Sequence, residues 1–160
     1  MNYFVMTYVG VIGAGECSEE TARLAYETGV ELARRKVILV CGGLGGVMEY
    51  ACKGAVENGG TTIGILPMGD RLGQNPYLTY SIPTGLGEAR NTLVVRACQA
   101  LIAVEGSFGT LSEIAFALKL GRPVIGLNTW QLADSRGRTA PLILSDNPQQ
   151  AVLLALKSIQ

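Results

Sequence analysis

Histidine is absent from all 160 residues, which removes a Ser-His-Asp or Cys-His nucleophile system, a histidine general base and every His-containing metal site. Any chemistry falls to carboxylates, Arg, Lys, hydroxyls or the backbone. Charge is also scarce: Asp, Glu, Lys and Arg make up 16% of the chain, against roughly 25% in ordinary soluble domains. A large core explains part of that shortfall, and surface covered by a partner subunit is expected to explain the rest. The formal net charge is zero and no basic run exceeds Arg34-Arg35-Lys36, which argues against nucleic acid as the main partner. No apolar run reaches the roughly 18 residues of a membrane-spanning helix. The apolar start, Tyr3 to Ile12, lacks a basic leader and a small-residue cleavage site, so it reads as a first strand rather than a signal peptide. The four cysteines, Cys17, Cys41, Cys52 and Cys98, show no C-x-x-C spacing. Without an export signal they are expected to be reduced and mostly buried, in a cytoplasmic protein.

Glycine, by contrast, is abundant, and it falls at the ends of apolar runs. Leu101-Ile102-Ala103-Val104 has the character of a buried strand. It breaks into Glu105-Gly106-Ser107-Phe108-Gly109 and then a helix expected over Thr110 to Leu120. Strand, glycine loop and helix present unpaired backbone N–H groups to an anion at the positive end of a helix. Thr110-x-x-Glu113 is equally a capping box, in which both side chains satisfy the helix's own donors. The two readings stand level on this segment alone. A second loop, Gly42-Gly43-Leu44-Gly45-Gly46, follows a strand at Val37 to Cys41 and opens a helix running to about Glu57. Its spacing through Glu49 matches that of Gly106 to Glu113. In one parallel sheet both loops would lie at the carboxyl edge of the strands, where open α/β sheets bind ligands. Two ordinary tight turns are the alternative.

The first strand ends in Gly13-Ala14-Gly15, and Ser18 is placed to cap a helix with Leu24, Ala25, Thr28 and Leu32 on one face. A dinucleotide fingerprint is incomplete: Ser18 stands where its third glycine belongs, and the second strand runs into Gly42 instead of an acidic residue. An NAD enzyme is therefore not expected. Pro67 to Gly87 is irregular, with an edge strand expected at Tyr77 to Ile82; a connection of this length is often a binding loop. Gly87-Glu88-Ala89-Arg90-Asn91 opens a helix to about Cys98, with Ala89, Leu93, Val94 and Ala97 as its core face. Arg90 would sit at the unfavourable end of the helix dipole unless it meets an anion, either a ligand phosphate or a carboxylate such as Glu113. A solvated Arg90 paired with Glu88 is the competing reading. Trp130 follows the strand Val124 to Leu127 and reads as packing or as a base-stacking residue. Pro148 begins a last helix, with Val152, Leu153, Leu156 and Ile159 as its stripe. No linker or low-complexity segment interrupts the chain, so residues 1–160 read as one domain.

Taken together, these residues resemble the LONELY GUY (LOG) superfamily of Rossmann-like proteins, especially its branch of molybdenum cofactor carrier proteins. The superfamily motif Pro-Gly-Gly-x-Gly-Thr-x-x-Glu aligns with Glu105 to Glu113, its upstream Arg-Lys element with Arg90-Asn91, and its early glycine run with Gly42 to Gly46. The pattern Thr84-Gly85-x-Gly87-x-Ala89-Arg90-Asn91 is closer to the carrier branch. The resemblance implies a three-layer α/β fold with a mostly parallel sheet of about six strands, and a homodimer. LOG enzymes cleave the N-glycosidic bond of cytokinin nucleoside 5′-monophosphates. On that likeness Arg90 and Glu113 would be the catalytic pair, and Gly42, Gly43, Gly46, Asn91, Gly106, Ser107, Gly109 and Thr110 the ligand- and phosphate-binding set. A carboxylate and an arginine suit such chemistry without histidine. Three departures count against catalysis. Glu105 replaces the motif's proline, Ser107 its second glycine and Asn91 its lysine. The leading expectation is thus a binding or carrier protein for a phosphorylated nucleotide-like or pterin ligand, with the molybdenum cofactor as one such ligand and no required cofactor or metal. A phosphoribohydrolase comes second and single-stranded DNA binding third. Lysine decarboxylation finds no support, since nothing singles out Lys36, Lys53, Lys119 or Lys157 as a Schiff-base residue.

Overall fold

The computed structural model describes residues 6–159; the Tyr3–Val5 part of the expected first strand lies outside them. Seven strands form one sheet, all neighbours parallel, in the order β4-β3-β2-β1-β5-β6-β7. They are β1 (Tyr8–Gly13), β2 (Ile38–Cys41), β3 (Thr62–Leu66), β4 (Tyr80–Pro83), β5 (Ala100–Val104), β6 (Val124–Leu127) and β7 (Ile143–Leu144). The sheet thus has one strand more than the expected six: the two-residue β7 extends the edge beside β6. The expected edge strand at Tyr77 to Ile82 begins later, at Tyr80, because Thr79 and Tyr77 instead bond to the Thr62 side chain and backbone.

Five helices complete the layers: α1 (Glu19–Arg34), α2 (Val47–Glu57), α3 (Asn91–Ala97), α4 (Phe108–Lys119) and α5 (Pro148–Lys157). α1, α2 and α5 pack with one face of the sheet around Val9, Val11, Leu39, Ile102 and Ile125. α3 and α4 cover the other around Ile12, Val40, Leu101 and Ala103. The central strands β2 and β5 are buried along their whole length, as a sheet covered on both faces requires. Sequence order reverses between β1 and β5, so the loops after those strands splay to opposite faces and leave the switch-point crevice of this fold class.

The caps account for helix starts. Ser18 accepts from the Thr21 amide at 3.2 Å and Asn147 from the Gln150 amide at 2.8 Å, each satisfying a donor that the helix itself leaves free. Two expected faces need correction. In α3 the buried side is Arg90, Asn91, Val94, Val95 and Cys98, whereas Leu93, Ala89 and Ala97 are exposed. A 3-10 turn, Gly87–Arg90, precedes the helix, and the buried stripe begins with two polar residues that a hydrophobic pattern passes over. In α5, Ala151, Val152 and Ala155 are buried and Leu153 is half exposed.

α1 and α2 cross at glycines. A Cβ on Gly54 would lie 2.0 Å from the Tyr26 carbonyl oxygen, and one on Gly29 would lie 1.9 Å from that of Ala51. Backbone touches backbone there, with no side chain able to give way. Gly54→Ala is expected to destabilise the fold by about 3 kcal/mol or more, at or above the upper end of ordinary overpacking. Chemical denaturation of the variant beside Gly69→Ala, at an exposed loop position with open space around it, measures it.

Candidate functional site

The carboxyl edge of β2, β1 and β5 gathers most of the residues expected at the site. Arg90, 7% exposed, projects from the end of the 3-10 turn to the β2 loop, where its guanidinium donates to the Gly42 carbonyl at 3.1 Å. A Cβ on Gly42 would lie 2.6 Å from that same guanidinium. Glycine at 42 is therefore what lets the arginine lie down. Arg90 also donates to the Asn91 side-chain oxygen. Asn91 in turn donates to Ser112 Oγ at 3.0 Å, and Ser112 donates to the Gly109 carbonyl at 2.7 Å. This chain of bonds ties the β2 loop, α3 and the first turn of α4 into one unit. Asn91 is thus a strut where the resembled motif has a lysine. Arg90 Nε has no partner and is buried.

Helix α4 begins at Phe108 with Ser107 as N-cap, two residues earlier than expected. The capping box does not form. Ser107 makes no side-chain cap bond, and Thr110, which the box would need at the cap, sits inside the first turn. Thr110 is 2% exposed and its Oγ1 has no hydrogen-bond partner. A buried hydroxyl left so carries a desolvation cost. Beside it the early amides of α4 are the usual orphan donors of a helix start.

The site glycines divide by what occupies the place of their missing Cβ. Protein atoms fill it at Gly43 (the Leu66 side chain), Gly46 (the Ala14 carbonyl) and Gly106 (the Thr110 side chain), and each of these has positive φ. At Gly109, in the first turn of α4, nothing lies within 4 Å. Gly109 alone of this set opens toward free space. Ser107 is exposed beside it.

Glu113 is 6% exposed. Burial pushes its carboxyl up to about 8, and the nearby Arg90 guanidinium pulls it back only in part. Burial likewise lowers Arg90, with Glu113 first among the charges that oppose the shift. At neutral pH Glu113 is therefore mostly protonated, a carboxylic acid held next to a cation. The Arg90–Glu88 pairing is replaced by this buried arrangement.

Sequence reading missed the other flank of α4's loop. Glu105 adopts φ 48°, a conformation that proline, fixed near −65°, cannot reach. Its departure from the resembled motif is thus one of backbone as well as charge. The Glu105 amide donates to the Leu127 carbonyl at 2.9 Å and its carbonyl accepts from Thr129 Oγ1. Glu105, Gly106, Asn128, Thr129 and Trp130 line a cavity of about 320 Å3. Trp130 donates from Nε1 to the Ser107 carbonyl at 3.3 Å and meets Phe108 at 5.8 Å between ring centres. The only sequence signals for this flank were Trp130 itself and the anomalous glutamate.

Among the described residues no group of three or more His, Cys, Asp or Glu is placed to hold a metal ion, and no helix is long and apolar enough to cross a membrane.

The model of the SLOG cluster4 family matches residues 6–152. An uncharacterized protein of Archaeoglobus fulgidus is 50% identical over 119 residues, spanning 74% of this chain and 78% of that one. Among solved structures, the molybdenum cofactor binding protein of the phototrophic bacterium Rippkaea orientalis superposes with a TM-score of 0.86 at 33% identity, covering 98% of this chain and 99% of the other. The molybdenum cofactor carrier protein of Chlamydomonas reinhardtii does so with a TM-score of 0.81 at 30% identity, covering 97% and 99%.

Glu113 also makes stability depend on pH. An unfolded glutamate ionises near 4.5 and the folded one near 8. Between those values the folded state holds the extra proton, so the destabilisation due to this group grows as pH rises from about 4.5 to 8 and then levels off. Urea midpoints of the native protein are expected to fall across that window. Those of Glu113→Gln should fall less steeply. Parallel slopes would contradict the raised carboxyl.

Proposed function

The chain belongs to the SLOG cluster4 family, and from that membership and the site's geometry we propose that it binds a phosphorylated nucleotide-like or pterin ligand. The phosphate would rest on the first turn of α4, against the early amides, Ser107 and the Thr110 hydroxyl, with Arg90 behind it. The observation that carries this reading is Thr110: a buried hydroxyl without a partner, in the turn where Gly109 alone leaves room for an approaching group. The Rippkaea and Chlamydomonas proteins bind or carry the molybdenum cofactor, a phosphorylated pterin, and the same turn suits its phosphate. On this reading that cofactor is cargo, and the chain is a binding or carrier protein, one domain over 1–160, cytoplasmic and homodimeric.

Gly109→Val tests the phosphate turn. Its Cβ meets open space, and valine is the better helix former of the two. The variant is expected to hold its Tm while losing at least about tenfold, or 1.4 kcal/mol, in affinity for ribose 5-phosphate by calorimetric titration. Equal affinity in the two folded proteins would end the proposal.

A second reading, nucleoside 5′-monophosphate phosphoribohydrolase, is favoured by one observation: a carboxyl near pKa 8 beside a buried arginine. Such a group holds a proton at neutral pH for transfer to a leaving base. Release of free base from a panel of nucleoside 5′-monophosphates is the measurement. A rate that Glu113→Gln lowers by roughly a hundredfold or more would establish hydrolysis. No release from the folded native protein would remove the hydrolase reading and keep the binding or carrier reading in front.

A further inference from the structure

The cavity on the β6 side of the Gly106 turn is an open hollow whose lining differs in chemistry from the α4 turn. Its lining includes Glu105, Asn128 and Trp130. A carboxylate is acceptor-only, and it repels a phosphate while suiting a pair of N–H donors. Arg90 lies across the site, at the end of β2, with β1 between it and β5. Strands spaced about 4.8 Å apart put the two groups on opposite flanks of the crevice.

The Glu105 backbone and the Trp130 ring are both held by their surroundings. Glu105 is pinned through its amide and carbonyl to Leu127 and Thr129, in a backbone conformation that fixes where its side chain leaves the chain. Its charge reaches the β1 loop as well, where it follows burial in raising the Cys17 thiol. Trp130 is half-buried, locked by its bond to the Ser107 carbonyl and by Phe108. An aromatic face held this way costs little further ordering when a flat ring stacks on it.

We infer that this cavity receives the ring of the ligand, and that Glu105 reads a 2-amino-4-oxopyrimidine edge, the edge shared by guanine and pterins. That edge offers a ring N–H and an amino group side by side, which a carboxylate accepts together, and next to them a carbonyl oxygen, to which the Asn128 amide can donate. The ring stacks on Trp130. The inference rests on the phosphate reading of the α4 turn, which anchors the other end of the ligand.

The experiment is a titration of the native protein with GMP, IMP, 2′-deoxy-GMP, neopterin monophosphate and ribose 5-phosphate, repeated with Glu105→Gln and Trp130→Ala. IMP lacks only the 2-amino group. Native protein is expected to prefer GMP over IMP by about tenfold or more, the scale of a hydrogen bond to a charged group, and 2′-deoxy-GMP should match GMP. Glu105→Gln should erase the preference without weakening ribose 5-phosphate. Trp130→Ala should weaken GMP and neopterin monophosphate by about tenfold and spare ribose 5-phosphate. The tighter of GMP and neopterin monophosphate tells nucleotide from pterin. Equal binding of GMP and IMP with intact ribose 5-phosphate binding overturns the edge assignment and leaves the phosphate site standing. Affinity that follows the 2′-hydroxyl instead would give Glu105 to the ribose and overturn it too. Loss of binding for every probe, ribose 5-phosphate included, overturns both.

Discussion

A buried guanidinium holds the carboxyl edge of this sheet together. Arg90 leaves the 3-10 turn, lies on Gly42 and donates to its carbonyl, while Asn91 passes the connection through Ser112 to the first turn of α4. A cation taken this far out of water is expensive unless it is paired or hydrogen-bonded. Its surroundings meet that need in part, with one backbone carbonyl and one amide oxygen, and Nε is left over. The loop following β2 and the helix start following β5 come from different halves of the chain, yet the Arg90-Asn91-Ser112 relay fixes their relation. Any movement of α3 would therefore be felt at both.

That arrangement explains why neighbouring glycines in similar loops have different tasks. At Gly42, Gly43, Gly46 and Gly106 a side chain would collide with the protein's own atoms, so these positions are small to let the edge pack on itself. Of the expected site glycines, Gly109 is the one that is small toward empty space. The close contacts at the other four positions are with the protein's own atoms. The Glu105 backbone, bent to positive φ after β5 and bonded to Leu127 and Thr129, then sets the second flank.

Much of this was legible beforehand. Alternation of short apolar runs with capped helices gave a parallel α/β sheet, because buried strands and amphipathic helices leave distinct periods. Ser18 and Asn147 announced their helices by side-chain chemistry that is local. What escaped was non-local. The two-residue β7 has too little sequence to signal pairing. The face of α3 was misassigned because its burial begins at Arg90 and Asn91, polar residues whose partners lie far away in sequence. Thr110-x-x-Glu113 matched a capping box letter for letter, but the helix started two residues early and carried both groups into the interior. Glu105 was visible as an anomaly. Its meaning required knowing that Asn128, Thr129 and Trp130 come from the next strand's loop.

Charge at the site follows from the same burial. Replacing the resembled motif's lysine by Asn91 removes a positive charge, and Glu105 adds a negative one nearby, which together would seem to disfavour an anion. Two features oppose that. Glu105 lies beside the β6 loop, whereas Glu113, the carboxyl that acts most on Arg90, is largely neutral at physiological pH because burial raises it to about 8. Arg90 therefore keeps its charge uncancelled, and the dipole of α4 adds partial positive charge at the turn where Gly109 opens. An arriving phosphate would raise Glu113 further, since a second negative charge disfavours its ionisation. Anion binding and protonation of Glu113 would reinforce each other. A neutral asparagine is thus compatible with an anion site, because the positive charge that the lysine would have supplied is matched by a negative charge that Glu113 withholds.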